Sequence, residues 1–288
     1  MTRVAVVGAG RLGTTLGVAI AAKGFDVAAV SCRNRPSARE SARLIGGARA
    51  TTSPARAAAA AEVVFLCLPD DALAPQVRKL ASTLSDWKGK TVFHTSGLLA
   101  ADVLAPLKAK GALTASFHPA QTFPRKDAAP GSFRGVTFVL EGDAAAVDLG
   151  RRIARRLGGR ILTLQPKHKA LYHAACHLAS GGMTSLLDAA AVLMQEAGFN
   201  PRQAADILFP LAERTLQNVK KIGPREALTG PVVRGDIRTV EAHLAALVRE
   251  PGIRDLYIGL ALRGLDRTAK AQLPVRTVRA LMRLLEDK

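Results

Sequence analysis

The sequence predicts an α/β protein: an N-terminal doubly wound parallel sheet followed by an all-helical C-terminal domain. Three observations lead to this prediction. The chain opens with an apolar strand at residues 4–7 that runs directly into the glycine pattern Gly8-Ala-Gly-Arg-Leu-Gly13 and an amphipathic helix. Strand and helix patterns then alternate up to residue 164, as a sheet with helices on both faces requires. From residue 167 onward apolar residues recur at helical spacing and no strand pattern is found.

Local patterns give the elements in order. Strands are expected at residues 4–7, 25–30, 48–52, 63–68, 91–94, 113–117, 136–140 and 160–164. Between them, helices are expected up to residue 22 and at residues 36–44, 54–61, 72–84, 100–110 and 144–157, with Ser53 as N-cap and Pro54 at the first helical position of the third. Long helices at 169–197, 201–220, 237–249, 252–269 and 274–285 complete the chain. The predicted domains are residues 1–165 and 166–288.

The glycine pattern after the first strand has the spacing of a dinucleotide-binding fingerprint. Gly8 would permit the tight turn, Gly10 would let the backbone approach a pyrophosphate, and Gly13 would let the helix pack closely on its strand. The unpaired amides at the helix start, from Arg11 and Leu12 onward, would bind the phosphates. Its position between a strand and a helix favours this interpretation over a glycine turn that matches by accident.

The segment after the second strand bears on the choice of cofactor. An NAD site requires a carboxylate there, whereas this chain has Ser31-Cys-Arg-Asn-Arg35 and no acid before Glu40. Arg33 and Arg35 would hold a 2′-phosphate, with Ser31 and Asn34 beside them, so the sequence predicts NADP. The alternative is a solvated basic loop. Leu68 and Pro69, after the fourth strand, are expected to border the same cofactor.

Composition limits the function classes. The chain has 288 residues, of which 48% are hydrophobic, and carries a net charge of +18. Its longest apolar runs fall far short of the roughly 20 residues of a membrane span, its N-terminus resembles no secretory signal, and its three separated cysteines suggest neither disulfides nor zinc. A cytoplasmic protein is expected. The charge favours an anionic cofactor and substrate over nucleic acid, because aromatic residues make up only 4% of the chain and no long basic block occurs.

Two segments at strand ends are candidates for proton transfer. Hydride transfer to a carbonyl needs a group that gives or takes a proton at the oxygen. His118, in the segment His118-Pro-Ala-Gln-Thr-Phe123, lies where such a group is expected. Ser96, in the segment His94-Thr-Ser-Gly97, could hydrogen-bond the same oxygen or the nicotinamide amide. The alternative for His118 is a ring that merely caps a strand.

The start of the helical domain carries further polar candidates. Lys169, His173 and His177 are spaced four residues apart and share one helical face, which points either to solvent or to the site. Lys169 and His173 are the catalytic candidates. Two histidines four residues apart also fit metal-ligand spacing, but no third ligand accompanies them, so no metal is predicted.

The segment Leu228-Thr-Gly-Pro-Val-Val-Arg-Gly-Asp236 interrupts the predicted helices. It places Arg234 and Asp236 close together on a loop. A guanidinium there could bind a substrate carboxylate. An ordinary helix-capping loop with Asp236 as N-cap explains the segment equally well.

The fingerprint, the segments ending at Gly97 and Phe123, the sequence Leu171-Tyr-His-Ala-Ala175 and the loop ending at Asp236 together resemble the Rossmann-like DUF2520 family. That family is similar to the coenzyme-F420-dependent NADP oxidoreductase, ketopantoate reductase, pyrroline-carboxylate reductase and 6-phosphogluconate dehydrogenase-like enzymes. The resemblance covers essentially the whole chain. It implies a Rossmann domain followed by an all-helical dimerisation domain, and hence a homodimer.

The related enzymes also suggest roles for individual residues. Lys169 and His173 occupy places comparable to a lysine and an asparagine of ketopantoate reductases, with histidine replacing the asparagine. Ser96 and His118 resemble the serine and histidine pair of prephenate dehydrogenases. The expected function is an NADP-dependent oxidoreductase acting on a small anionic carbonyl, hydroxyl or imine compound, with a 2-oxo acid such as ketopantoate as the most concrete candidate. The alternative is a protein that senses NADPH without chemistry.

Overall fold

A computed structural model of the chain describes residues 2–126, 129–267 and 273–286. Two compact units can be distinguished, residues 1–181 and 182–288. The last strand ends at Thr163, two residues before the predicted boundary after residue 165. The first compact unit extends further because the helix that begins at Lys169 inserts this side chain among residues of the sheet.

The first unit contains one eight-stranded sheet with the order β3-β2-β1-β4-β5-β6-β7-β8. Its strands are β1 (Arg3–Val7), β2 (Asp26–Ser31), β3 (Arg49–Thr51), β4 (Val63–Leu66), β5 (Thr91–His94), β6 (Leu113–Pro119), β7 (Thr137–Gly142) and β8 (Arg160–Thr163). Its helices are α1 (Arg11–Ala21), α2 (Arg35–Ile45), α3 (Pro54–Ala59), α4 (Asp70–Thr83), α5 (Ala105–Lys108), α6 (Ala144–Arg156) and α7 (Lys169–His177). The predicted strand and helix order is confirmed.

Helices cover both faces of this sheet, as a doubly wound fold requires. One apolar core combines Leu16 of α1 and Ile153 of α6 with Phe65, Phe93 and Phe117 of the sheet. The other core packs α3, α4 and α5 against the alternate residues of the central strands. Since the central strands bury both faces, they consist of continuous apolar runs rather than alternating ones.

The prediction of a fully parallel sheet is wrong at one pair. β7 runs antiparallel to β6, whereas the other neighbouring strands are parallel. A parallel strand needs a crossover, usually a helix, and the described part of the connection at 120–136 contains only turns. The chain therefore returns directly beside β6. His118 also lies within β6 rather than after it.

Two predicted helices are interrupted. The predicted helix at 100–110 is a 3₁₀ turn, Ala101–Leu104, followed by the short α5, whose second residue is a proline. The predicted helix at 169–197 is divided into α7 and α8 (Met183–Glu196) by a π-helical turn, Leu178–Gly182. Ser180, Gly181 and Gly182 have low helix propensity, and the Ser180 hydroxyl donates to the Cys176 carbonyl. These residues allow the wider turn.

The second unit is helical in its described residues. It contains α8, α9 (Pro201–Ile222), α10 (Pro231–Arg234), α11 (Ile237–Ala246), α12 (Pro251–Arg267) and α13 (Val275–Glu286). Val240, Leu244, Leu265, Leu281 and Leu285 form its core. The last two residues of the predicted helix at 252–269 lie outside the described residues. In the part of the chain that the structure describes, no helix has the length and apolar character to cross a membrane.

Candidate functional site

The glycine turn between β1 and α1 has three distinct environments. Gly8 has a φ of +88°, and a Cβ atom on it would lie 2.4 Å from the carbonyl oxygen of Cys67. A Cβ atom on Gly13 would lie 2.4 Å from the carbonyl oxygen of Gly8. At Gly10, by contrast, a Cβ atom would meet no atom of the described residues within 4 Å. The first and last glycines are thus required by the fold, and the middle one borders open space.

The start of α1 presents free amides toward this space. The first hydrogen bond of the helix runs from the Thr14 amide to the Gly10 carbonyl at 3.0 Å, so the amides of Arg11, Leu12 and Gly13 precede the helical ladder. The first turn contains no acidic residue and no capping side chain. A helix N-terminus of this kind favours an anion. These residues could hold the pyrophosphate of a dinucleotide.

Neighbouring polar groups fix the turn. The Ser31 carbonyl accepts hydrogen bonds from the amides of Gly8 and Ala9 at 2.9 and 3.0 Å. The Ala9 carbonyl accepts from the hydroxyls of Thr14 and Ser41 and from the Cys32 thiol. Burial raises the pKa of this thiol, so Cys32 is a neutral donor. Ser31 therefore acts through its backbone, and the contacts from Thr14 and Ser41 were not foreseen.

The predicted 2′-phosphate residues lie on an exposed edge. Arg33 and Asn34 lie between β2 and α2, Arg35 is the first residue of α2, and all three are exposed. Asn34 is the N-cap of α2, and its side-chain oxygen accepts from the Ser37 amide at 2.9 Å. The two guanidiniums are thus the groups of this segment that could bind a phosphate.

The two residues predicted to border the cofactor follow β4. The Leu68 side chain lies 2.7 Å from the position of a Cβ on Gly8. Pro69 is the N-cap of α4. Leu68 therefore lies beside the glycine turn, and Pro69 follows it at the start of α4.

His118 is half-buried and paired with a tyrosine. Its Nδ1 atom lies 2.7 Å from the hydroxyl of Tyr172 on α7, and the two rings are perpendicular. The ring of His173 stands edge-on to His118, with 6.2 Å between ring centroids. A Cβ atom on Gly97 would lie 2.8 Å from Nε2 of His118 and 2.7 Å from Cδ2 of His173. Only glycine lets the chain pass this close to both imidazoles.

The environment keeps His118 neutral. Burial, followed by coulombic interactions with Lys169 and His173, lowers its pKa to about 4. A neutral imidazole carries one proton, so the bond with Tyr172 decides which nitrogen is free to accept another. In the tautomer whose Nδ1–H donates to the tyrosine oxygen, Nε2 is the proton acceptor; in the other tautomer the tyrosine hydroxyl donates to Nδ1.

Lys169 is buried, with 2% of its surface exposed. Its ammonium donates to the Ser96 carbonyl at 3.0 Å and to the Ser116 hydroxyl at 2.6 Å, and it lies 4.0 Å from a carboxylate oxygen of Glu141. Burial lowers the pKa of Lys169 to about 8, and Glu141 and Asp70 oppose this shift. Lys169 is therefore mostly protonated at neutral pH.

The hydroxyl of Ser96 forms a local turn. It accepts from the amides of Leu98 and Leu99 at 3.1 and 2.9 Å, while the Ser96 amide donates to Nδ1 of His94. Burial, and secondarily the charge of Lys169, lowers the pKa of His94 to about 3. Ser96 thus fixes the loop beside His118.

A cavity of about 370 Å³ opens next to these residues. It lies within the first compact unit and is lined by His118, Ala120, Gln121, Thr122, His173, Cys176, His177, Ala179 and Ser180. No carboxylate is among these lining residues. The π-helical turn supplies the last two of them. Across the described ranges, no group of three His, Cys, Asp or Glu side chains is arranged to hold a metal ion.

Arg234 and Asp236 lie in the second unit and pair with each other. Arg234 Nε donates to the Asp236 carboxylate at 2.8 Å, and its side chain is 63% exposed. Asp236 stands at the N-cap position of α11, but its side chain makes no capping hydrogen bond. Part of the loop forms the short helix α10. The carboxylate therefore orients the guanidinium instead of capping the helix.

Sequence reasoning missed Tyr172, Ser116 and Glu141. Tyr172 lies one turn after Lys169 and immediately before His173, and this position was a usable signal. Ser116 precedes His118 by two residues, so a strand places both side chains on one face. Glu141 had no comparable signal.

Two family models match the chain. Residues 1–119 match the model of a Rossmann-like domain. Residues 136–263 match the model of a domain of unknown function, DUF2520. These matches confirm the resemblance drawn from the sequence motifs. No curated protein matches this chain.

Solved structures share the fold of this chain. A candidate NADP oxidoreductase from Bacteroides fragilis is 25% identical, with a TM-score of 0.78 over 92% of this chain and 98% of that one. Protein TM1727 from Thermotoga maritima is 24% identical, with a TM-score of 0.69 over 93% and 99%. A reductive aminase from Aspergillus terreus, in complex with NADPH and ethyl levulinate, is 19% identical, with a TM-score of 0.66 over 98% and 99%.

Proposed function

We propose that the chain is an NADP-dependent oxidoreductase that transfers a hydride between nicotinamide and a small anionic carbonyl, hydroxyl or imine compound. One observation carries the proposal: the glycine turn and the His118 cluster occupy the same edge of one sheet. β1, β4, β5 and β6 are parallel neighbours, and both features lie at their carboxyl ends. Ligands of open α/β sheets bind at this edge.

Each residue near His118 has a role in this proposal. Bound nicotinamide would supply or accept the hydride. His118 would exchange the proton at the reacting oxygen or nitrogen through Nε2, and Tyr172 would hold the ring through Nδ1. His173 and Ser96 would complete the polar wall, with Lys169 behind it as a fixed positive charge. Such a charge favours a substrate on which negative charge develops.

The cofactor choice rests on Arg33 and Arg35. The cofactor of the Bacteroides protein and of the Aspergillus reductive aminase, by their names, is NADP or NADPH. Two exposed guanidiniums after β2, with no carboxylate in that segment, suit a 2′-phosphate better than a ribose hydroxyl. The proposal is therefore NADP rather than NAD.

Replacing both arginines with alanine is expected to weaken NADPH binding while leaving NADH binding nearly unchanged. Each charge-assisted hydrogen bond contributes about 1.5–3 kcal/mol, so a loss of at least ~10-fold is expected. Quenching of Trp87 or nicotinamide fluorescence measures both affinities. Arg49 and Arg56 are exposed on the same unit, and the double alanine variant at these positions is the control. An equal loss for both cofactors would contradict a 2′-phosphate site.

Arg234 is our proposed anchor for a substrate carboxylate, and Asp236 its orienting partner. The specific candidate is a 2-oxo acid such as ketopantoate. The function is tested by following nicotinamide absorbance with purified protein, NADPH and a panel of oxo acids and imines. Oxidation of NADPH by a member of the panel supports the enzyme. Tight NADPH binding with no oxidation across the panel would instead indicate a sensor.

We also propose a homodimer through the helical unit. Large apolar side chains are exposed on α9; Ile207 and Leu211, at 40% and 61%, are four residues apart and share one face. A second copy covering this face would remove them from water. Light scattering is expected to give twice the chain mass, and Ile207→Glu with Leu211→Glu is expected to give monomers. Gln217→Glu on the same helix is the matched control. A wild-type monomer at micromolar concentration would overturn this proposal.

A further inference from the structure

A row of buried polar side chains crosses the sheet below the candidate site. His94 on β5 is paired with Ser116 on β6, and Ser116 with Glu141 on β7. All three are buried, as is Lys169, which reaches into the row from α7. The proposed function assigns no role to Glu141. A buried carboxylate is costly unless it is paired and hydrogen-bonded, so its partners indicate what it does.

Glu141 and Lys169 hold the two ends of one segment. The Lys169 ammonium donates to the carbonyl of Ser96, at the start of the segment 96–101. Glu141 Oε1 accepts from the amide of Ala101, at its end, at 2.7 Å. The two charged groups lie 4.0 Å apart. One ion pair thus fixes both ends of this segment.

The segment between these ends is a compact turn. The Ser96 hydroxyl accepts the amides of Leu98 and Leu99, which tie the middle of the segment to its start. Gly97 lies at the point where the chain passes the rings of His118 and His173. A displacement at either end of the segment would therefore move Gly97 relative to both imidazoles.

We propose that Glu141 is a positioning residue of the candidate site: together with Lys169 it clamps the segment 96–101 and so holds Gly97 against His118 and His173. The importance of this placement for hydride transfer rests on the proposed function. The clamp itself is independent of it. Lys169 donates to Ser96 and Ser116 and pairs with Glu141 at 4.0 Å, so it holds the segment in addition to supplying a positive charge behind the site.

The pKa shifts of Glu141 and Lys169 agree with an ion pair that holds the segment 96–101. Burial raises the pKa of Glu141, while the Ala101 amide and Lys169 oppose this shift by favouring the carboxylate. Glu141 in turn favours the ammonium of Lys169. Each charge supports the other in a site that would otherwise neutralise both. Removal of one partner leaves the other charge buried without compensation.

The test replaces Glu141 by leucine, which removes both contacts, and by glutamine, which keeps an acceptor for Ala101. The expected result for Glu141→Leu is amide hydrogen exchange at Leu98, Leu99 and Ala101 that is faster by about tenfold or more. The imidazole resonances of His118 and His173 should also move, whereas those of His243 in the second unit should not. Glu141→Gln should give exchange rates and imidazole shifts between those of the wild type and those of Glu141→Leu. Asp143→Asn is the matched control, because Asp143 follows the same strand but holds Thr114 and Lys108.

These measurements need neither cofactor nor substrate, so they test the clamp even where the proposed activity is absent. Where activity is found, Glu141→Leu is expected to lower kcat by roughly 100-fold with little change in KM for NADPH, as expected from misplaced reacting groups. If Glu141→Leu does not fold, the Glu141→Leu, Lys169→Met double variant removes both buried charges and is measured in the same way. Wild-type exchange and imidazole resonances in the folded variant would overturn the proposal.

Discussion

Replacing His118 with alanine is expected to slow hydride transfer by about 10²–10⁴-fold, the range that a positioned general acid or base contributes. NADPH affinity should be retained, because the phosphate-binding amides belong to the glycine turn. In the hydroxyl-oxidising direction the imidazole must be neutral to accept a proton. With a pKa of about 4, the wild-type rate should fall only as the pH drops through about 4. Stopped-flow measurement of nicotinamide absorbance across pH checks both statements.

The Tyr172→Phe variant is expected to have the same kind of effect as His118→Ala, but a smaller one. It removes the hydroxyl that contacts Nδ1, so kcat should fall less than in His118→Ala. The acid limb of the pH–rate profile should move to lower pH, because the protonated imidazolium, whose Nδ1–H must donate, loses the tyrosine oxygen as its acceptor. Tyr257→Phe is a close control: Tyr257 contacts Nδ1 of His243 at 3.0 Å with perpendicular rings, but in the second unit. A collapse of NADPH binding in His118→Ala would show that His118 contacts the cofactor instead.

Features that depend on residues close together in the chain could be predicted from the sequence. The turn from Gly8 to Gly13 follows from local spacing, and its geometry agrees with the role given to each glycine. The alternation of strands and helices was likewise a local pattern. The interruption at Ser180-Gly181-Gly182 and the antiparallel β7 also had local signals, low helix propensity and a connection without a helix pattern, which hydrophobic periodicity outweighed.

The contacts of the candidate site could not be read in this way. Tyr172 is separated from His118 by 54 positions, and Glu141 meets Ala101 across 40. These pairs depend on strand order and register, which bring distant segments together after the fold has formed. The motifs identified His118, Ser96 and Lys169 as polar residues near strand ends or a helix start. Their partners, and the burial that sets their pKa values, are properties of the packed sheet.

Alanine substitutions at Gly10 and Gly13 are expected to separate cofactor binding from folding. Gly10→Ala should lower the free energy of unfolding less than Gly13→Ala does, because a Cβ there meets no described atom within 4 Å. It should weaken NADPH binding by at least about tenfold, since the methyl group occupies the side from which the pyrophosphate approaches the backbone.

Gly13→Ala should instead lower the stability of the fold more than it weakens NADPH binding. Its Cβ would lie 2.4 Å from the Gly8 carbonyl oxygen, a backbone atom that cannot rotate away, so α1 must shift from β1. Overpacking of this kind costs about 1–3 kcal/mol of stability, measurable by urea unfolding. Fluorescence titration of both variants with NADPH completes the comparison. Wild-type affinity in Gly10→Ala would place the phosphates elsewhere, because the open space at Gly10 is the feature that distinguishes a phosphate cradle from a merely tight turn.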